Sequence, residues 1–125
     1  MVVDTNVIIE HIRAKDKRNT TLYNLADNKE LFVSCVTLYE LYLGATTNEK
    51  EKEVHEFTKY LTVLSFTEII AFKAAQIYRQ LKKQNNLIEF RDIFIAATCI
   101  VHDLPLMTFN KKHFNRVEEL KLLYK

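Results

Sequence analysis

MVVDTNVIIEHI, residues 1–12, begins with a short apolar run that halts at an acid and passes directly into a helical pattern. Residues 1–4 read as a strand buried on both faces, and residues 6–12 as the helix that covers it. The same unit recurs along the chain. Further strands are expected at residues 30–34, 62–65, 106–108 and, more weakly patterned, 121–124. Helices are expected at 18–27, 37–46, 50–60, 67–84 and 92–101, with a short turn near 111–116. Strands alternating with helices imply right-handed crossovers, a mostly parallel central sheet and a three-layer α/β/α sandwich.

Two helices differ in kind. In the longest, Ile70, Ala74, Ile77 and Leu81 fall at helical spacing while Lys73, Gln76, Gln80 and Lys83 share the other side, so one face packs. Residues 92–101 have almost no polar side, since Ile93, Phe94, Ile95, Ala96, Ala97, Ile100 and Val101 go all the way round. Such a helix is buried deep or lies in an interface. Tyr39, Tyr42, Phe72 and Phe94 sit within apolar helical patterns and read first as core.

The chain has 125 residues, 48% hydrophobic and 27% charged, with no repeat or linker, which suits a single domain over residues 1–125. With 18 basic against 16 acidic residues the net charge is only +2, so composition alone does not announce a nucleic-acid partner. Basic clusters at Lys15, Lys17 and Arg18 and at Arg79, Lys82 and Lys83 read as solvated faces; only Lys111, Lys112, His113 and Arg116 lie beside a candidate site residue. The longest apolar runs fall short of a membrane span and the start lacks a signal-peptide pattern, so a soluble, cytoplasmic protein is expected. One glycine, Gly44, and one proline, Pro105, leave no phosphate-cradling loop of the P-loop or dinucleotide-binding kind. Cys35 and Cys99 read as buried reduced thiols. The four histidines show no metal-binding spacing, and neither Ser34 nor Ser65 stands in a nucleophile motif.

Four polar residues stand where the apolar pattern predicts otherwise: Asp4, Glu40, Asp92 and Asn110. Asp4 ends the first strand, Asn110 follows the strand at 106–108, and Glu40 lies in the first turn of the helix after the second strand. Three of the four therefore fall near one edge of the sheet, where parallel α/β folds collect function. Carboxylates gathered in a cleft repel and lose hydration, and such clusters persist by binding a divalent metal or by holding protons. Hard oxygen donors favour Mg²⁺ or Mn²⁺. Each residue taken alone also fits a helix cap, with Thr37 to Glu40 matching a capping box. A carboxylate at a helix N-terminus stays ionised, which is the state a metal requires.

Three segments, VVDTNVII, TLYELYLGA and FRDIFIAATCIVHDLPLMTFNKKHF, together resemble the PIN-domain family, specifically the VapC-like ribonuclease toxins of toxin–antitoxin modules. The likeness covers nearly the whole chain in order and spacing. It implies that Asp4, Glu40 and Asp92 hold Mg²⁺ or Mn²⁺ and that Asn110 takes the family's fourth acidic position as a neutral ligand. It further implies that Thr5 and Asn6 order the first carboxylate and that Thr108 serves water or phosphate; Glu89, about one helical turn before Asp92, reads either as a support to the site from further out or as a solvated position at the helix entry. Lys111, Lys112 and His113 would grip phosphates.

The activity so implied is metal-dependent hydrolysis of RNA phosphodiesters, with structured RNA such as tRNA as substrate. The implied partners are a homodimer mate and a small antitoxin that blocks the site with an inserted segment, often carrying Arg. Two other classes are weighed against it. A phosphoacceptor receiver domain needs an acidic pair after the first strand and a late Lys before Pro, whereas here Asp4 stands singly and Leu104 precedes Pro105. A catalytically inactive PIN-like binding module would use the acids only as caps, and Asn110 keeps that reading open.

Overall fold

The computed structural model describes residues 1–27 and 29–123. A four-stranded parallel sheet forms the middle layer, in the order β3 (Thr62–Leu64), β2 (Phe32–Ser34), β1 (Val2–Val3), β4 (Leu106–Met107). Between and after the strands run α1 (Thr5–Arg13), α2 (Thr21–Leu25), α3 (Cys35–Gly44), α4 (Asn48–Thr58), α5 (Glu68–Lys83), α6 (Phe90–Val101) and α7 (Lys111–Phe114).

The two-residue side-chain period of a strand explains how so short a sheet holds two cores. Val2 and Leu106 face one side, with Ile70, Ile77 and Leu81 of α5 and Ile93, Ala96 and Ala97 of α6. Val3, Val33 and Met107 face the other, with Val7 and Ile8 of α1, Leu22 of α2, Leu41 of α3 and Val54 of α4. Because Val2 and Val3 are completely buried, β1 admits no polar residue until it ends, and the first one is Asp4. The expected three-layer architecture is the one observed. The apolar helix α6 is deeply packed, with Ile93 through Cys99 buried apart from Phe94. Among the described residues no helix is long and apolar enough to cross a membrane.

Several expectations need correction. The helix expected at 18–27 is broken in two: a 3₁₀ turn at Lys17–Asn19 ends at Thr20, whose hydroxyl then caps α2 by accepting from Tyr23 N–H at 3.2 Å. The capping box at Thr37–Glu40 does not form. Ser34 caps α3 instead, its hydroxyl accepting from Thr37 N–H at 3.1 Å, so Glu40 lies well inside the helix and not in its first turn. α6 starts at Phe90, which puts Asp92 within its first turn and not at the cap. Tyr39 and Phe72 are exposed, and Cys35 is only half-buried. The strand expected at 121–124 reduces to one bridge between Leu122 and Leu106, and Tyr124 lies outside the described residues. Lys17, from the first basic cluster, is not simply solvated: its ammonium donates to the carbonyls of His11, Ile12 and Ala14 at the end of α1, where a cation suits the helix dipole.

Candidate active site

Asp4 is held in place from three directions. Its backbone N–H donates to Met107 O at 2.9 Å, continuing the ladder to β4, and its carbonyl accepts from Val7 and Ile8 to start α1. Its side chain caps the same helix, Oδ1 accepting from Thr5 N–H at 2.8 Å, while Oδ2 accepts from the Thr108 hydroxyl at 2.7 Å. Cap and site are thus one residue. Oδ1 remains able to receive a cation, and it does.

That cation is Arg91. Its Nη2 donates to Asp4 Oδ1 at 3.1 Å and to Glu40 Oε1 at 2.8 Å, its Nε donates to Glu40 Oε2 at 2.6 Å, and its Nη1 donates to Asp92 Oδ1. One guanidinium thus joins three carboxylates from β1, α3 and α6. The Asp4 and Asp92 side chains are only 1% and 2% exposed, against 25% for Glu40 and for Arg91 itself, so the cluster opens to solvent on the Glu40 and Arg91 side. Glu40 is oriented from α1: the Thr5 hydroxyl donates to Glu40 Oε1 at 2.6 Å, and Thr37, one turn before Glu40 on α3, stands 3.2 Å from the same hydroxyl.

Burial pushes the Asp92 carboxyl above the ordinary carboxylate range, with Arg91 pulling against that and Asp4 adding to it. Arg91 itself is held above its ordinary value: burial alone would lower it, but the Glu40 hydrogen bonds and the charges of Asp4 and Asp92 outweigh burial.

Asn110 stays at the rim. Its backbone N–H donates to Thr108 Oγ1 at 2.9 Å, and its side-chain amide reaches His113 Nδ1 at 2.9 Å; that imidazole stands 3.5 Å from Asp92 Oδ2. Asn110 occupies the cap position of α7 but makes no side-chain cap. Lys111 and Lys112 follow it on that helix. Asn6 is exposed on α1 and takes no part in the cluster's hydrogen bonds among the described residues, and Glu89 is an exposed residue at the start of α6. Arg91 is the residue that sequence reasoning missed. A signal existed: it is a cation at the second position of a helix, where the dipole disfavours positive charge, so something else must hold it.

The donor set suits a hard divalent ion, being entirely carboxylate oxygen with hydroxyls in support. With Arg91 spanning the cluster, no three carboxylate, imidazole or thiol groups among the described residues converge as an ion would require.

The model of the PIN domain family matches residues 1–120, and the chain belongs to that family. It is 34% identical over 122 residues to Ribonuclease VapC1 of Methanocaldococcus jannaschii, covering 98% of this chain and 84% of the relative. It is 35% identical over 121 residues to Ribonuclease VapC10 of Mycobacterium tuberculosis, covering 97% and 90%. Among solved structures, VapBC-1 from nontypeable Haemophilus influenzae superposes with a TM-score of 0.82 at 28% identity, over 98% of this chain and 95% of that one.

Proposed function

We propose that this protein is a metal-dependent endoribonuclease and the toxin of a toxin–antitoxin pair. The observation that carries the proposal is the meeting of Asp4, Glu40 and Asp92, from three separate elements, around a single cation at the carboxyl end of the sheet. The chain's similarity to proteins named Ribonuclease VapC supports it.

In this reading Asp4, Glu40 and Asp92 hold Mg²⁺ or Mn²⁺, and Asn110 serves as a neutral group at the rim. The chemistry such an ion supplies is a strong oxygen nucleophile at neutral pH and neutralisation of charge on the phosphate. The rest falls to the chain. Thr5 and Thr108 fix the carboxylates in their working rotamers. His113 and Asn110 border the open side, and with Lys111 and Lys112 on the same short helix they supply positive charge and donors for the RNA backbone. Asn6 is free to meet substrate from α1.

Two surfaces support the proposed partners. A groove of about 1050 Å³, lined by Ile12, Leu22, Leu31, Phe57 and Tyr60, adjoins one of about 370 Å³ that reaches Glu40; Ile12 and Glu53 line both. An antitoxin segment lying along it would end at the carboxylates. Phe66, Tyr78, Phe90 and Phe94 line an apolar groove of about 560 Å³ between α5 and α6, which suits a homodimer contact.

The competing reading, an inactive PIN-like binding module, draws on the same Arg91, because a cluster already neutralised by a side chain needs no metal. Cleavage of a total-tRNA pool with Mg²⁺ or Mn²⁺ separates the two, comparing the unaltered protein with Asp4→Asn and Asp92→Asn, with a chelator control and thermal melts. Metal-dependent cutting that disappears in both folded variants is expected. Cutting that persists in both variants would sink the assigned site, and no cutting of tRNA would favour the binding module or another RNA.

A further inference from the structure

We propose that Arg91 is a built-in competitor for the metal: its guanidinium occupies the ion's place among Asp4, Glu40 and Asp92 and must leave before a divalent cation binds. The inference rests on the metal site proposed above and adds to it a device that sets the ion concentration at which the site loads.

Every carboxylate oxygen of the trio is engaged. Asp4 Oδ1, both Glu40 oxygens and Asp92 Oδ1 receive N–H groups of Arg91, Asp4 Oδ2 receives the Thr108 hydroxyl, and Asp92 Oδ2 faces His113. Thr108 and His113 each meet a single oxygen, whereas the guanidinium bonds the other four. A divalent ion held by these carboxylates would draw them in around itself and take oxygens that the guanidinium now bonds, so the two compete.

Departure requires little of the fold. Arg91 lies at the solvent-facing side of the cluster, its side chain 25% exposed and its chain neighbours Glu89 and Phe90 exposed, so a change of side-chain rotamer is the motion that departure calls for. The helix offers it no hold, because the second residue of an α-helix sits at the positive end of the dipole. The carboxylates keep it, with one further bond from Nη2 to the Thr5 hydroxyl at 3.3 Å, and a divalent ion brings twice its charge to the carboxylates. If the cluster is open about a tenth of the time, the apparent dissociation constant is about tenfold weaker than that of the open site.

The test is Mn²⁺ binding to the whole protein, followed by the electron paramagnetic resonance of the free ion, in the unaltered chain, Arg91→Gln and Arg91→Lys. Arg91→Gln should bind Mn²⁺ about tenfold or more tightly, with Arg91→Lys in between, since an ammonium keeps the charge but loses the fork. A second readout needs no substitution. In chelator, the Arg91 Nε–H nitrogen resonance should carry the shift and slow solvent exchange of a bonded group, and saturating Mg²⁺ should move it to the position of a solvated arginine. Equal or weaker Mn²⁺ binding by Arg91→Gln, or an Nε–H signal unmoved at saturation, would overturn the inference while leaving the metal site standing. Absence of Mn²⁺ binding in all three proteins would overturn both.

Discussion

Thr108 donates its hydroxyl to Asp4 Oδ2 at 2.7 Å, a bond that closes 104 residues of chain and ties the end of β4 to the end of β1. The same hydroxyl oxygen accepts the N–H of Asn110, so one threonine orients the first carboxylate and anchors the loop that carries the rim residues. Thr108→Val keeps the volume and removes both bonds. Left with a buried oxygen short of a donor, the variant should lose about 1–3 kcal/mol of stability, and Thr108→Ser should recover most of it. Urea unfolding in chelator measures this, and a valine variant as stable as the parent would mean the bond is dispensable.

Ser34 is fully buried and is the residue that starts α3, the helix bearing Glu40. Ser34→Ala should cost about 1 kcal/mol through the lost cap. Calorimetry should find the melting temperature lowered by about 3–5 °C for a domain of this size. An unchanged melting temperature would mean that α3 is held by its packing alone.

Asp92 provides a pH dependence with a definite sign. Burial raises its folded-state pKa, so ionising it costs more in the folded protein than in the unfolded chain. That cost is absent below the ordinary carboxylate value of 3.8, where both states are protonated, and is complete above the raised folded value. In chelator, Asp92→Asn should therefore gain stability relative to the parent as pH rises from about 3.5 to 7. A difference that is flat, or that runs the other way, would show that the Arg91 pairing outweighs burial.

Phe72 on α5 and Phe90 at the start of α6 stand 65% and 66% exposed, and Phe90 lines the apolar groove between those helices. Phe72→Glu with Phe90→Glu should convert a homodimer to monomer in light scattering without lowering the melting temperature of the monomeric fold. A parent protein that is already monomeric at high concentration would dispose of the dimer.

Much of the fold was legible because the strands are short and two of them, β1 and β4, are purely apolar and stop at the next polar residue, Asp4 and Thr108. Asp4 could be assigned to a strand end for that reason, and parallel topology put Glu40 and Asn110 near the same edge, while Asp92 joined them only through the family resemblance. Glu40 was reached despite a wrong local account: the Thr37 pattern suggested a capping box, while the actual cap, Ser34, lies one turn earlier. Arg91 was passed over because the helix was expected to begin at Asp92, which left the arginine outside it as an ordinary charge; with α6 starting at Phe90, its place at the positive end of the dipole becomes the signal. The exposure of Tyr39 and Phe72 was hidden for another reason, since an apolar side chain has the same periodicity whether it faces a core or solvent.

β1 lies inside the sheet, between β2 and β4, although among these four strands it is made first and β4 last. A nascent chain thus carries Val2, Val3 and Asp4 with one edge unpaired for roughly 5–20 s at ordinary translation speeds before the partner strand is made. Thr108 arrives with that late strand, and Arg91 and Asp92 only shortly before it. The carboxylate trio therefore stays incomplete until α6 has been made, and the bond that fixes Asp4 Oδ2 waits longer still, for Thr108.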